Sequence, residues 1–302
     1  MSDPMSDEFS PAIGRQSIDS FRKAMMIDVD ENYCETMLQS ITNRIAETFE
    51  RPGPDFTIAD FVRQITALNQ LYAGEMRSAL SSRFPQISWS GAEEANAKAQ
   101  AGAEPSTAYW VYDPIDAAYH LAQGLPLWSS SLALVVNGRT EFGIVYDPVL
   151  KETFVARRNC GATLNGMPLR PSGKKHLRGA VVATFLPPYG HGDPSRHATT
   201  LELMSAIAPH VFVIRQMASA SLQLAYVAAG RLDALFEVGS TIHDWLAGSL
   251  LVEEAGFRMT DLEGQPFGWT AEGILAAAPG ISESMIAITG EICRGRKSIS
   301  SN

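Results

Sequence analysis

The sequence predicts a mixed protein of two halves, an α+β half followed by an α/β half, with the change near residue 178. Three observations lead there. Two stretches of helical periodicity open the chain, a group of strand-like runs joined by short turns follows, and short strands and helices then alternate toward the end. Hydrophobic residues make up 45% of the 302 residues, ample for a buried core.

Residues 1–25 are polar with scattered Pro and Gly, and are expected to form a flexible tail. The α+β half is placed at 26–178. Its first helix spans 31–48, with apolar residues at helical spacing, and the "RPGP" at 51–54 stops it. A second helix is expected over 57–84, closed by Pro85. "ISWSG" reads as a short strand, and "STAYWVYDP" as another that Pro114 stops. "SSLALVV", "TEFGIVYD" and "ETFVARR" are neighbouring antiparallel strands. Asn137-Gly138 supplies a tight hairpin turn between the first two, and "DPVLK" turns the second into the third.

The α/β half is placed at 179–295. "AVVATFL" and "HVFVI" are strands flanking a helix over 195–208. A helix over 219–230 ends at Gly230, "LDALFEV" is a strand, the helix "HDWLAGSLLVEEAG" ends at Gly256, and "GILAAAP" is a late strand. Residues 296–302 read as a second flexible tail.

The formal charge of −9 argues against a general nucleic-acid or anionic-membrane binder. A locally acidic pocket is compatible with it and would attract cations. Cys34, Cys160 and Cys293 show no CxxC spacing, which fits a reducing compartment. No apolar run is long enough to span a bilayer, and the N-terminus lacks the basic-then-apolar order of a signal peptide. A cytoplasmic protein is expected.

Six acids stand out: Glu93 and Glu94 in "SGAEEA", Asp113 and Asp116 in "YWVYDPIDAAYH", Glu237, and Asp244 in "HDWLAG". Each has a plain explanation. Asp244 can cap its helix, Asp113 can initiate a turn before proline, and a Glu-Glu pair is usually solvated surface. The combination says more. Pro114 stiffens the chain between the two aspartates, and hard divalent cations, magnesium above all, take carboxylate and phosphate oxygens. Acids held this way suit a pair of ions that stabilise the attacking and leaving oxygens in phosphoryl chemistry.

With these motifs in order, the chain resembles the inositol monophosphatase family, part of a larger group with fructose-1,6-bisphosphatases and bisphosphate nucleotidases. "WVYDPIDAA" is similar to the family's W-x-x-D-P-[IL]-D-G-T, and "HDWLAGSLLVEEAG" to W-D-x-A-A-G-x-L-[IV]-x-E-A-G-G. Between them, "EFGIVYDPVLKETFVARRNCGATLNG" is similar to the family's strand pair and Gly-Ala…Asn-Gly loop. The resemblance covers residues 31–293. It implies a layered αβαβα sandwich of the sugar-phosphatase type, with a magnesium-dependent site between the halves. It places Glu93 as a metal ligand that helps position the attacking water, Asp113 as the acid bridging two metals, and Ile115 as a backbone-carbonyl ligand. Asp116 and Asp244 become ligands of the second metal, and Asp116 also approaches the substrate hydroxyl. Glu237 becomes a contact to the sugar-like ring. Ala117, Ala118 and the loop Ala218, Ser219, Ala220 fall at substrate-binding positions. Two Mg2+ ions and a weaker third are implied, with a small phosphorylated substrate and a homodimer.

Three positions depart from the pattern. Ala117-Ala118 replace Gly-Thr, so the hydroxyl that orients the water is missing. Asn69 stands where an aspartate serves the additional metal, and His243 replaces a tryptophan. The plain reading of His243 is a packing substitution, and the sharper one is a group that tunes the site. His120, His191 and His197 are taken as surface or packing residues. The leading expectation is a phosphomonoesterase of a small polyol or sugar phosphate, resembling inositol-1-phosphate. The alternatives are a 3′(2′),5′-bisphosphate nucleotidase and a catalytically weakened member acting as a binding or regulatory protein.

Overall fold

Asp30 and Thr57 decide where the first two helices begin. The Asp30 carboxylate accepts the Tyr33 N–H at 3.0 Å and starts α1, Glu31–Thr48. Thr57 and Asp60 bond each other's backbone N–H groups in a capping box that starts α2, Ile58–Arg83. Both helices lie where periodicity puts them. The computed structural model describes residues 27–90, 108–187 and 193–300.

Seven strands build the first sheet: β1 Ser88–Ser90, β2 Ala108–Asp116, β3 Ser129–Val136, β4 Arg139–Asp147, β5 Glu152–Arg157, β6 Gly161–Leu164 and β7 Met167–Pro168. They are ordered β1-β2-β3-β4-β5-β6-β7, with β1 parallel to β2 and the others antiparallel. Asn137 and Gly138 both have positive φ, as the tight hairpin between β3 and β4 requires. A short helix, α3 Ala118–Gln123, follows β2 directly.

The second sheet comes from β8 Val181–Thr184, β9 Val213–Gln216, β10 Ala234–Val238, β11 Arg258–Thr260 and β12 Gly273–Ala277, in the order β11-β12-β10-β8-β9. Four helices alternate with these strands: α4 Pro194–Ile207, α5 Ala220–Ala228, α6 Ile242–Glu254 and α7 Ser282–Ser300. Helix α7 runs to Ser300, so the 296–302 segment is mostly helical where a flexible tail is expected from its composition. The "HVFVI" strand is displaced toward the C-terminus and forms as β9.

Strand alternation sorts the core into two layers around the first sheet. Trp110, Tyr112, Leu132, Leu134, Phe142 and Ile144 face α1 and α2. Val111, Ala133, Val135 and Val145 face the other way, onto α5 and α6. This second face is lined with small residues because α6 comes close: a Cβ at Gly143 would lie 3.0 Å from the Ala247 Cα. Helices α4 and α7 cover the far face of the second sheet. The layers are therefore helix, sheet, helix, sheet, helix, as the resemblance implies. Among the described residues no helix is long and apolar enough to cross a membrane.

Candidate active site

Strand β2 does not stop at Pro114. It continues to Asp116, and the register against β3 shifts on the way: Asp113 pairs with Ser131 and Asp116 with Ser129. Two residues, Pro114 and Ile115, therefore oppose Ser130 alone, which makes a β-bulge. In a regular strand, residues three apart point to opposite faces. The extra residue restores Asp116 to the side that Asp113 faces. Proline is tolerated because a bulge asks for one ladder N–H fewer. The Ser130 hydroxyl donates to the Pro114 carbonyl at 2.5 Å, and the Thr42 hydroxyl of α1 meets Ser130 at 2.8 Å.

Asp113 fulfils its plain reading in part, since its Oδ1 accepts the Ile115 N–H at 3.1 Å. Burial first, then the charges of Asp116 and Asp244, push its carboxyl well above the usual range. Asp116 is buried, and burial and then Asp244 raise it to about 6 against the pull of its bonds from Ser221 and Ser219. Its Oδ2 accepts from the Ser219 hydroxyl (3.0 Å), the Ser221 N–H (2.8 Å) and the Ser221 hydroxyl (2.5 Å).

Asp244 lies in the first turn of α6, but Thr241 holds the cap position. The Asp244 carboxylate instead takes a 2.9 Å contact from His243 Nε2. His243 is thus a largely buried side chain that also makes a polar contact to Asp244. Burial opposes its charge, but Asp244, with Asp113 and Asp116 behind it, raises its pKa to about 9.

Glu237, at the end of β10, is buried. Arg196 Nη2 donates to its Oε1 at 3.0 Å and the Trp245 indole to its Oε2 at 3.2 Å. Burial still raises it to about 8, countered by Arg196. Both of its oxygens meet protein donors, which differs from an open contact to a sugar-like ring. Asn69 sits within α2 with a buried Oδ1 that has no hydrogen-bond partner among the described residues. His120 and His197 each hold a backbone carbonyl, of Leu127 at 2.6 Å and Pro187 at 2.7 Å. Glu93, Glu94 and His191 lie outside the described residues.

Two residues beside Asp116 have left-handed backbones without being glycine. Ala117 has φ 69° and ψ 46° at the start of α3, where the resembled motif has glycine. Ser219 has φ 67° and ψ 89°, and its hydroxyl caps α5 through the Leu222 N–H at 3.2 Å; Ala218 precedes it and Ala220 begins the helix. Such strain persists only where the surroundings enforce it. Ala117→Gly is expected to stabilise the fold by about 0.5–1 kcal/mol, the strain relieved less the entropy glycine adds to the unfolded chain. Urea unfolding measures it.

Ser129, Ser221, Thr42 and Arg196 are site residues that sequence reasoning passed over. A signal existed for the first: three serines open an otherwise apolar strand. Nothing in the sequence singles out Arg196.

Among the described residues, no three His, Cys, Asp or Glu side chains close into a metal-binding group. The donor chemistry nevertheless fits a hard divalent cation. Asp113, Asp116 and Asp244 form a group of carboxylates that act on one another electrostatically. Magnesium commonly binds through one or two carboxylates with waters and phosphate oxygens, so a closed protein cage is not required.

The same raised pKa values make a prediction for the metal-free protein. Asp113, Asp116, Glu237 and His243 all hold protons more tightly folded than unfolded. Their contribution is present at low pH and is lost as pH rises through about 6 for Asp116, about 8 for Glu237 and about 9 for His243. With EDTA, the melting temperature is expected to fall between about pH 5 and 9, and Mg2+ to flatten that slope. Melting curves at fixed ionic strength check it.

A model of the inositol monophosphatase family matches residues 28–293. Among curated proteins, the chain is 40% identical over 181 residues to Nus factor SuhB of Pasteurella multocida strain Pm70, covering 59% of this chain and 65% of that protein. It is 38% identical over 179 residues to Nus factor SuhB of Escherichia coli K12, covering 59% and 66%. The chain thus spans about two thirds of the length of the curated relatives it matches. Among solved structures, Mycobacterium tuberculosis SuhB aligns with a TM-score of 0.69 at 26% identity, covering 86% of this chain and 94% of that one. Inositol monophosphatase-II of Staphylococcus aureus MSSA476 aligns with a TM-score of 0.69 at 20% identity, covering 85% and 93%, and shows the fold alone.

Proposed function

The chain belongs to the inositol monophosphatase family, and from that premise we propose that it is a magnesium-dependent phosphomonoesterase of a small polyol or sugar phosphate. The bulged end of β2 carries this reading, because it turns Asp113 and Asp116 to one side, within electrostatic reach of Asp244. Asp113, Asp116 and Asp244, with the Ile115 carbonyl and Glu93, would hold the ions, and Asn69 would serve a weaker third. Bound magnesium supplies Lewis-acid polarisation of water and phosphate oxygens.

The protein's part is orientation. Asp113 and Asp116 stand on a bulge braced by Ser130 and Thr42, so their spacing does not depend on a loose loop. Asp244 is carried on the first turn of a well-buried helix, whose positive end favours anions. Glu237, tied to Arg196 and Trp245, forms a rigid buried wall. Release of phosphate from a panel of inositol, glycerol, fructose and adenosine phosphates, with and without Mg2+, tests the reading. Magnesium-dependent release from polyol phosphates supports it, preference for the adenosine bisphosphate favours the nucleotidase, and no release from any of them counts against it.

A regulatory member is the second reading. The curated relatives carry the name of a Nus factor, and Ala118 lacks the hydroxyl of the family motif. Titration calorimetry with Mg2+ beside turnover separates the two. An enzyme binds the ion and releases phosphate, whereas a binding protein that has lost the site does neither.

A further inference from the structure

We propose that Ser221, together with Ser219 and Ser129, makes Asp116 a one-oxygen ligand and thereby biases the site toward Mg2+ and against Ca2+. This rests on the reading of Asp116 as a metal ligand.

A carboxylate oxygen has two in-plane lone-pair directions. Asp116 Oδ2 already faces three donors: the Ser219 hydroxyl, the Ser221 N–H and the Ser221 hydroxyl. No direction is left for a cation. Ser129 Oγ sits 2.9 Å from both serine hydroxyls and can hydrogen-bond one of them at a time. The proton count agrees: two of the three hydroxyl protons point at Asp116, and the third, from Ser129, goes to one of its two neighbours. All three serines are buried, so bulk water does not replace a lost donor.

The group is anchored from three sides. Strand register sets Ser129 opposite Asp116, the helix cap fixes Ser219, and Ser221 lies in the first turn of α5. Asp116 is therefore held with Oδ1 as the oxygen it can offer an ion.

The two ions respond differently to that restriction. Magnesium takes six ligands in a tight octahedron and needs one oxygen from each carboxylate. Calcium collects six to eight oxygens and commonly uses carboxylates through both. Saturating Oδ2 removes one oxygen from what calcium can gather and takes nothing from magnesium.

The test is titration calorimetry with Mg2+ and Ca2+ separately on the wild type, the Ser219→Ala/Ser221→Ala double variant, the Ser219→Thr/Ser221→Thr double variant, Ser221→Ala and Ser129→Ala. The double alanine variant leaves the Ser221 N–H alone on Oδ2 and so opens one direction for a cation. Loss of these outer-shell partners is expected to weaken Mg2+ binding about tenfold or more. Ca2+ binding is expected to hold or tighten in the double alanine variant, so the preference for Mg2+ shrinks by at least that factor. The double threonine variant, which keeps both hydroxyls, keeps the preference. Ser221→Ala alone still leaves the Ser219 hydroxyl and the Ser221 N–H on Oδ2 and is expected to retain most of it. Ser129→Ala leaves all three direct donors and shifts the preference in the same direction by less than the double alanine variant. A parallel loss of both ions, in variants that melt like the wild type in EDTA, would overturn the proposal and leave the phosphatase reading standing. A wild-type protein that binds neither ion removes Asp116 as a ligand, and both fall. If the double alanine variant fails to fold, the Ser129→Ala ratio decides.

Discussion

Asp113→Asn is expected to abolish turnover and to make the metal-free protein more stable. The amide keeps an oxygen where Oδ1 accepts the Ile115 N–H, so the bulge survives. The charge is gone, and with it a carboxylate that would hold the proposed ions. Losing about 4 kcal/mol of transition-state stabilisation corresponds to roughly a thousandfold in rate. The gain in stability has the opposite origin. In the wild type, folding either brings the Asp113 charge beside Asp116 and Asp244 or forces it to take a proton. Asparagine does neither. Phosphate release and melting temperature in EDTA at about pH 8, measured on one preparation, check both signs. A variant that melts lower and still turns over would show Asp113 to be a turn former and nothing more.

Ala118→Thr is expected to raise phosphatase activity about a hundredfold, the usual worth of one well-placed hydrogen bond to a reacting group. Ala118 opens α3 immediately after the left-handed Ala117 and two residues after Asp116. A threonine there restores the hydroxyl that the resembled motif carries two residues after the second aspartate, which is the group expected to orient water. The gain should appear in kcat with Mg2+ affinity unchanged, because no ligand is altered. Unchanged kcat with the ion bound would mean that water orientation is not the deficit.

Much of the fold was legible in the sequence because its signals are local. Helical periodicity placed α1 and α2, Asn137-Gly138 placed a hairpin, and Gly230 and Gly256, both with positive φ, mark the ends of α5 and α6. Local signals also misled. Proline ends a strand by rule, yet β2 passes through Pro114 because Thr42 and Ser130 hold a bulge there. The basic and polar end of the chain looked like a tail, yet α7 carries it as helix and packs on α4.

By itself the sequence determined most of the longer elements, the family and which acids to suspect, since each of these shows in short stretches of neighbouring residues. Tertiary structure alone decided how each acid is held. Ser219 reaches Asp116 across 103 residues, Arg196 reaches Glu237 across 41, and a single-residue bulge chooses the side that Asp116 faces. The reason is geometric: electrostatic and hydrogen-bond energies depend on distance in space, and chain separation carries little information about it.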